Sequence, residues 1–69
     1  MEIIQIRDEN IKLGQALKLS GAVESGVEAK IVIQGGKVKV NGKVEIQRGK
    51  KLVSGDVIQF NGSQFRIEG

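Results

Sequence analysis

Seven basic side chains, Lys30, Lys37, Lys39, Lys43, Arg48, Lys50 and Lys51, fall between positions 30 and 51 against one acid, Glu45. The 69-residue chain carries a net charge of +3, so this segment holds a local +6 and the rest of the chain −3. Phosphate recognition depends on local charge more than on total charge, and a cluster of this kind is the electrostatic footprint of a polyanion binder. A solvated lysine face kept for solubility accounts for the same charges. Other chemistry has few carriers. Cysteine and histidine are both absent, which removes thiolate nucleophiles, imidazole bases, disulfides and the usual zinc ligands together. Two of the carboxylates have structural explanations: Glu28 stands three residues after Ser25 in a capping-box spacing, and Asp56 follows the turn glycine Gly55. Gly35-Gly36 has the look of a helix stop and lacks the lysine-threonine helix start of a phosphate loop. No enzyme activity, cofactor or metal is expected.

The elements that must position the basic residues can be read from local signals. A chain of this length makes one small domain, residues 1–69, that buries only about 60% of its unfolded surface. Glu2 to Ile6 is a β-prone run closed by Asp8, Glu9 and Asn10. Asn10 is placed to cap a helix from Ile11 to Ser20, with Leu13, Ala16, Leu17 and Ser20 on one face, Lys12, Gln15 and Lys18 elsewhere, and Gly21 as the stop. A second helix should begin immediately after Ser25, whose hydroxyl accepts from the Glu28 N–H while the Glu28 carboxylate reaches back to Ser25. Val27, Ala29, Ile31, Val32 and Ile33 give it a wide apolar face, Gly35-Gly36 ends it, and Gly26, Lys30 and Gln34 share a stripe.

In Val38-Lys39-Val40 the valines share one face, as do Val44 and Ile46 beyond Asn41-Gly42. Keeping both apolar sets on the core side predicts a three-residue loop, Asn41-Gly42-Lys43, with a glycine bulge; Val40 then pairs with Val44, Val38 with Ile46, and Lys39 faces Glu45. A cross-strand ion pair would be reason enough for Lys39. Near the C-terminus, Asn61-Gly62 fits a two-residue turn that sets Ile58 opposite Phe65, with both phenylalanines in the core.

Ser25, Ala29, Val32, Ile33, Gly36, Val38, Val40, Asn41 and Gly42, followed by Gly55-Asp56-Val57-Ile58, resemble the helix-strand-turn signature of the S4 domain family. The likeness covers roughly Ile11 to Phe60 and extends to small stand-alone bacterial members. It implies an α+β, S4-like (alpha-L) RNA-binding fold in which two helices pack on a small bent antiparallel β-sheet. It also implies a non-catalytic module for structured RNA, whether ribosomal RNA, transfer RNA or a precursor, in ribosome assembly or translation. Carried over by position, Lys12, Ser25, Lys30, Lys39, Asn41 and Lys43 lie on the RNA surface, with Lys12 where the family often has arginine. Two positions depart from the pattern. Gly26 stands where many members place an RNA-contacting arginine, and Gly14 replaces a common acid. A bare Gly26 does open the N–H groups of Gly26 and Val27 to a phosphate.

The loop Gln47 to Ser54 adds Arg48, Lys50 and Lys51 around Gly49 as further phosphate contacts. Since lysines predominate and exposed aromatics are few, RNA shape and phosphate positions should matter more than base identity. Two other readings compete: a protein-binding adaptor that uses an exposed sheet edge such as Glu2 to Ile6, and a looser likeness to a β-grasp sulfur carrier, weakened by the Ile67-Glu68-Gly69 end. MEIIQIRDEN contains no apolar run long enough for a signal peptide or membrane span, so a cytoplasmic, monomeric protein is expected.

Overall fold

Alternation of apolar and polar residues decides which face of each strand is buried, and it places the core on one side of a five-stranded sheet. In the computed structural model, which describes residues 1–69, the elements run β1 (Glu2–Gln5), β2 (Ile11–Lys12), α1 (Leu13–Leu19), α2 (Gly26–Gln34), β3 (Val38–Val40), β4 (Lys43–Val44), β5 (Lys51–Leu52), β6 (Val57–Phe60) and β7 (Ser63–Glu68). The main sheet has the order β1-β7-β6-β3-β4, and β2 pairs with β5 in a separate two-stranded ribbon. The sheet is mixed, not purely antiparallel, because β1 joins β7 in parallel at one edge.

The inner face carries Ile4, Val38, Val40, Ile58, Phe65 and Ile67, and the helices meet it with Leu13, Ala16 and Leu17 from α1 and Ala29 and Ile33 from α2. The two helices also pack on each other. Every fully buried residue is apolar, Phe65 among them, while Phe60 packs half-buried against the cluster. Neither helix is long and apolar enough to cross a membrane.

Helix α2 begins after Ser25 as its sequence requires. Ser25 Oγ accepts from the Glu28 N–H at 3.1 Å, and Gly36 leaves the helix with φ +76°. The return bond of the cap differs by one residue, since Glu28 Oε1 accepts from Glu24 N–H at 2.7 Å, not from Ser25. The apolar face is also narrower than expected. Ala29 and Ile33 are buried, whereas Val27 and Ile31 point outward and are 69% and 65% exposed. Two hundred degrees separate positions two apart on a helix, so Val27 and Ile31 cannot share the side that Ala29 and Ile33 occupy.

Helix α1 starts two residues later than expected, at Leu13, and Asn10 does not cap it. Ile11 and Lys12 are instead drawn into an antiparallel ladder with Leu52 and Lys51. The helix N–H groups that follow continue the pairing: Leu13 donates to the Lys50 carbonyl at 2.8 Å and Gly14 to the Arg48 carbonyl at 3.0 Å. A segment 35 or so residues downstream therefore caps α1. Burying Ile11 and Leu52 on the inner side of the ribbon outweighs the local capping preference.

The Asn41-Gly42 turn corrects a register. Lys39 pairs with Val44 and Val40 with Lys43 across a two-residue turn in which Asn41 has φ 52° and Gly42 φ 85°, and there is no bulge. Positive φ at both central residues is the type I′ geometry that Asn-Gly favours. Val44 and Ile46 consequently face outward, 55% and 58% exposed. A two-residue edge strand makes this possible, because the core is already closed by β3 and β6 and does not require them. The expected Lys39–Glu45 pair is absent: Glu45 accepts from the Gln47 N–H at 3.1 Å, and the one ion pair in the chain joins Arg66 to Glu68. The second hairpin has the expected register, with Ile58 opposite Phe65 across Asn61-Gly62.

Candidate nucleic-acid interface

Three segments distant in sequence converge where α1 and α2 begin. Lys12 precedes α1, Lys18 stands in its last turn, Gly26 opens α2, and Arg48-Gly49 lies across from both. Between them is a shallow, open groove of about 400 Å³ lined by Lys12, Gly14, Gln15, Lys18, Gly26, Ala29, Arg48 and Gly49. Three cations and no carboxylate border it, and none of the three is tied up in an ion pair.

The local folding explains why these side chains are presented. Because the carbonyls of Arg48 and Lys50 are bound by the first N–H groups of α1, the backbone of this loop is held while its side chains project from it. Gly14 lies directly against this loop; a Cβ there would stand 3.6 Å from both Arg48 Cβ and the Arg48 carbonyl oxygen, an ordinary packing contact. In the ribbon, Lys12 and Lys51 are direct cross-strand partners. Like charges facing each other across a ladder destabilise it. No acid relieves this pair, so its charge density is concentrated at the groove rim at some cost in stability.

At the start of α2 the N–H groups of Gly26 and Val27 have no protein acceptor. A Cβ added to Gly26 would meet nothing within 4 Å. The helix N-terminus thus reaches the groove unshielded, and its partial positive charge adds to that of the three cations. Glu28, in the same first turn, turns its carboxylate back to the Glu24 N–H at 2.7 Å and partly offsets that positive charge. The first turn of α1, by contrast, spends the Leu13 and Gly14 N–H groups on the Lys50 and Arg48 carbonyls.

The expected contact residues fall into two groups. Lys12, Gly26 and Arg48 line the groove; Ser25 stands beside it with its hydroxyl used as the α2 cap; Lys51 faces Lys12; Lys50 is adjacent in the loop; and exposed Lys30 lies one turn beyond Gly26. Lys39, Asn41 and Lys43 belong to another part of the molecule. Lys39 alternates with buried Val38 and Val40, so it projects from the face of the sheet that carries no helix. Lys43 follows the turn. Asn41 is occupied internally: its Nδ2 donates to Asp56 Oδ1 at 3.0 Å, its Oδ1 accepts from the Val57 N–H at 2.9 Å, and its own N–H donates to the Val57 carbonyl at 2.8 Å. Asp56 Oδ2 in turn accepts from the Val53 N–H at 2.8 Å, so the carboxylate shapes its turn as expected. Lys18 was absent from the sequence-derived set. Its signal was the three-residue spacing Lys12, Gln15, Lys18 along the polar side of α1.

Comparison with known proteins places this geometry. The S4 domain profile matches residues 4–68. The chain belongs to the S4 domain family. Among S4 domain proteins it is 41% identical over 58 residues to YbcJ of Escherichia coli strain K12, named as a candidate RNA-binding protein, covering 84% of this chain and 83% of that one. It is 42% identical over 59 residues to RlbA of Bacillus subtilis strain 168, named a probable ribosome maturation protein, over 86% of this chain and 83% of RlbA. The solution structure of E. coli YbcJ, described as having an αL motif involved in RNA binding, superimposes with a TM-score of 0.76 at 36% identity, over 100% of this chain and 89% of YbcJ. A second S4 domain likeness is to the 30S ribosomal protein S4e of Thermoplasma acidophilum, with a TM-score of 0.66 at 30% identity, over 87% of this chain and 32% of that protein. The S4 family assignment accounts for nearly the whole chain.

Proposed function

We propose that this S4 domain protein is a non-catalytic RNA-binding module that grips the phosphate backbone of structured RNA in the Lys12–Lys18–Arg48 groove, in ribosome assembly or translation. The observation that carries the reading is the groove itself: three unpaired cations and two unshielded helix N–H groups converge on a concavity without a single acid. Such a surface suits phosphates held at fixed spacing, and it contains no aromatic ring on which a base could stack. RNA shape, not base sequence, is therefore what it discriminates. Support for RNA as the ligand comes from the name of YbcJ, and support for a ribosomal or precursor target from that of RlbA. The non-catalytic reading rests on Glu28 and Asp56, whose carboxylates are both engaged with backbone N–H groups. The protein acts in the cytoplasm, where ribosomes are assembled.

Fluorescence anisotropy with a structured ribosomal RNA fragment tests the proposal. Each cation lost from a phosphate contact should lower the slope of log affinity against log salt by roughly 0.7 to 0.9. The Lys12→Glu/Lys18→Glu/Arg48→Glu protein should show a slope lower by roughly 2 to 3 than wild type. Equal slopes and equal affinities would overturn the proposal.

A further inference from the structure

The helix-free face of the sheet carries a second set of polar groups that the groove does not use. Lys39 on β3 is the cross-strand partner of Gln59 on β6, and Gln59 is the partner of Gln64 on β7. Paired residues project to the same face, so the three form one row across three adjacent strands, spanning about 10 Å at the usual strand spacing. Lys37, Ser63 and Asn61 extend it, the half-buried edge of Phe60 flanks it, and together they line a concavity of about 270 Å³. No carboxylate borders that concavity, and neither lysine has an ion-pair partner. None of the polar side chains in the row makes a hydrogen bond within the protein. The contrast with Asn41, in the same type of turn as Asn61, is direct: one amide is consumed by the fold, the other is presented.

The geometry points to this Lys39–Gln59–Gln64 row as a second RNA contact, taking an unpaired segment of the RNA whose structured part lies in the groove. It rests on the RNA-binding reading above and extends it. Two lysines supply the phosphate attraction. Two glutamine amides and one asparagine amide supply donors and acceptors together, which a phosphate alone does not need and which the edges of unstacked bases do. A paired A-form helix hides those edges from a shallow surface, so the match is to a single strand. The row and the groove lie on opposite faces of the fold, in a molecule only 28 × 21 × 18 Å across. Simultaneous occupancy therefore requires an RNA that folds around the protein or brings two segments to it.

The test is a nuclear magnetic resonance titration of the full 15N-labelled chain with a mixed-sequence 12-nucleotide single-stranded RNA, a 12-base-pair RNA duplex and an acidic peptide of equal length. The single strand should shift the Gln59 and Gln64 side-chain amides, and the duplex should shift Gly14, Gly26 and Gly49. In Lys37→Glu/Lys39→Glu the single-strand shifts should vanish with the duplex shifts retained, and the salt slope for the single strand should fall by roughly 1.4. If only the groove resonances respond to either RNA, the second contact is refuted and the groove reading stands. If no resonance responds to either RNA, both fail. Stronger shifts of Gln59 and Gln64 with the acidic peptide than with the single strand would also overturn the inference.

Discussion

The Asn41-Gly42 turn and the Arg48–Lys51 loop both carry residues suited to RNA, yet the fold uses them in opposite ways. In the turn, side-chain chemistry is turned inward: Asn41 ties the β3–β4 hairpin to Asp56 and Val57 through its amide and backbone. In the loop, the backbone is turned inward, capping α1 through the Arg48 and Lys50 carbonyls. Its charged side chains are thereby left exposed and held in place. The more recognisable signature is structural, and the less distinctive loop carries the charge.

The largest effect should separate the two regions by binding. Reversing Lys12, Lys18 and Arg48 together should weaken structured-RNA affinity by at least about 30-fold at ~0.15 M salt, where a Debye length of ~8 Å leaves contacting charges effective. Anisotropy reads the affinity, and the thermal midpoint should stay within a few degrees because these side chains pack against little. Asn41→Ala should do the reverse. It removes two side-chain hydrogen bonds and places alanine at φ 52°, which should cost about 1–3 kcal/mol in urea-monitored unfolding while the folded protein binds RNA as before. A loss of affinity without a loss of stability would assign Asn41 to the RNA surface instead.

Two smaller effects sharpen the groove. Gly26→Arg should raise affinity about 3- to 10-fold by anisotropy, since a Cβ there meets nothing within 4 Å and the added cation would sit at an acid-free groove. Lys51→Gln should stabilise the fold by about 0.2–1 kcal/mol in chemical denaturation by relieving the Lys12–Lys51 opposition, and should lower RNA affinity slightly. A destabilised Lys51→Gln protein would mean that this opposition carries no cost.

Much of the fold was legible in the sequence because local and tertiary demands agreed. The Ser25 cap, the Gly36 exit and the Ile58–Phe65 register each follow from a few neighbouring residues. The errors lie where a distant partner decides. The start of α1 depends on carbonyls from Arg48 and Lys50, which no local pattern announces. At β4 the assumption that Val44 and Ile46 must be buried failed because the strand is a two-residue edge, leaving turn chemistry to set the register. The same logic applies to the site. Gly26, the loop cations, the Lys12-Gln15-Lys18 spacing and the alternation that turns Lys39 outward were visible as types and positions, while the separation of Lys39 from the groove required knowing which face the helices cover.

The central claim, that structured RNA lies in the Lys12–Lys18–Arg48 groove, is tested most directly by photocrosslinking. A 4-thiouridine-substituted ribosomal RNA fragment would be irradiated with the protein and the adducted peptides identified by mass spectrometry. Adducts should concentrate in residues 12–18, 25–30 and 48–51. Adducts confined to residues 39–46, with none around the groove, would contradict the account.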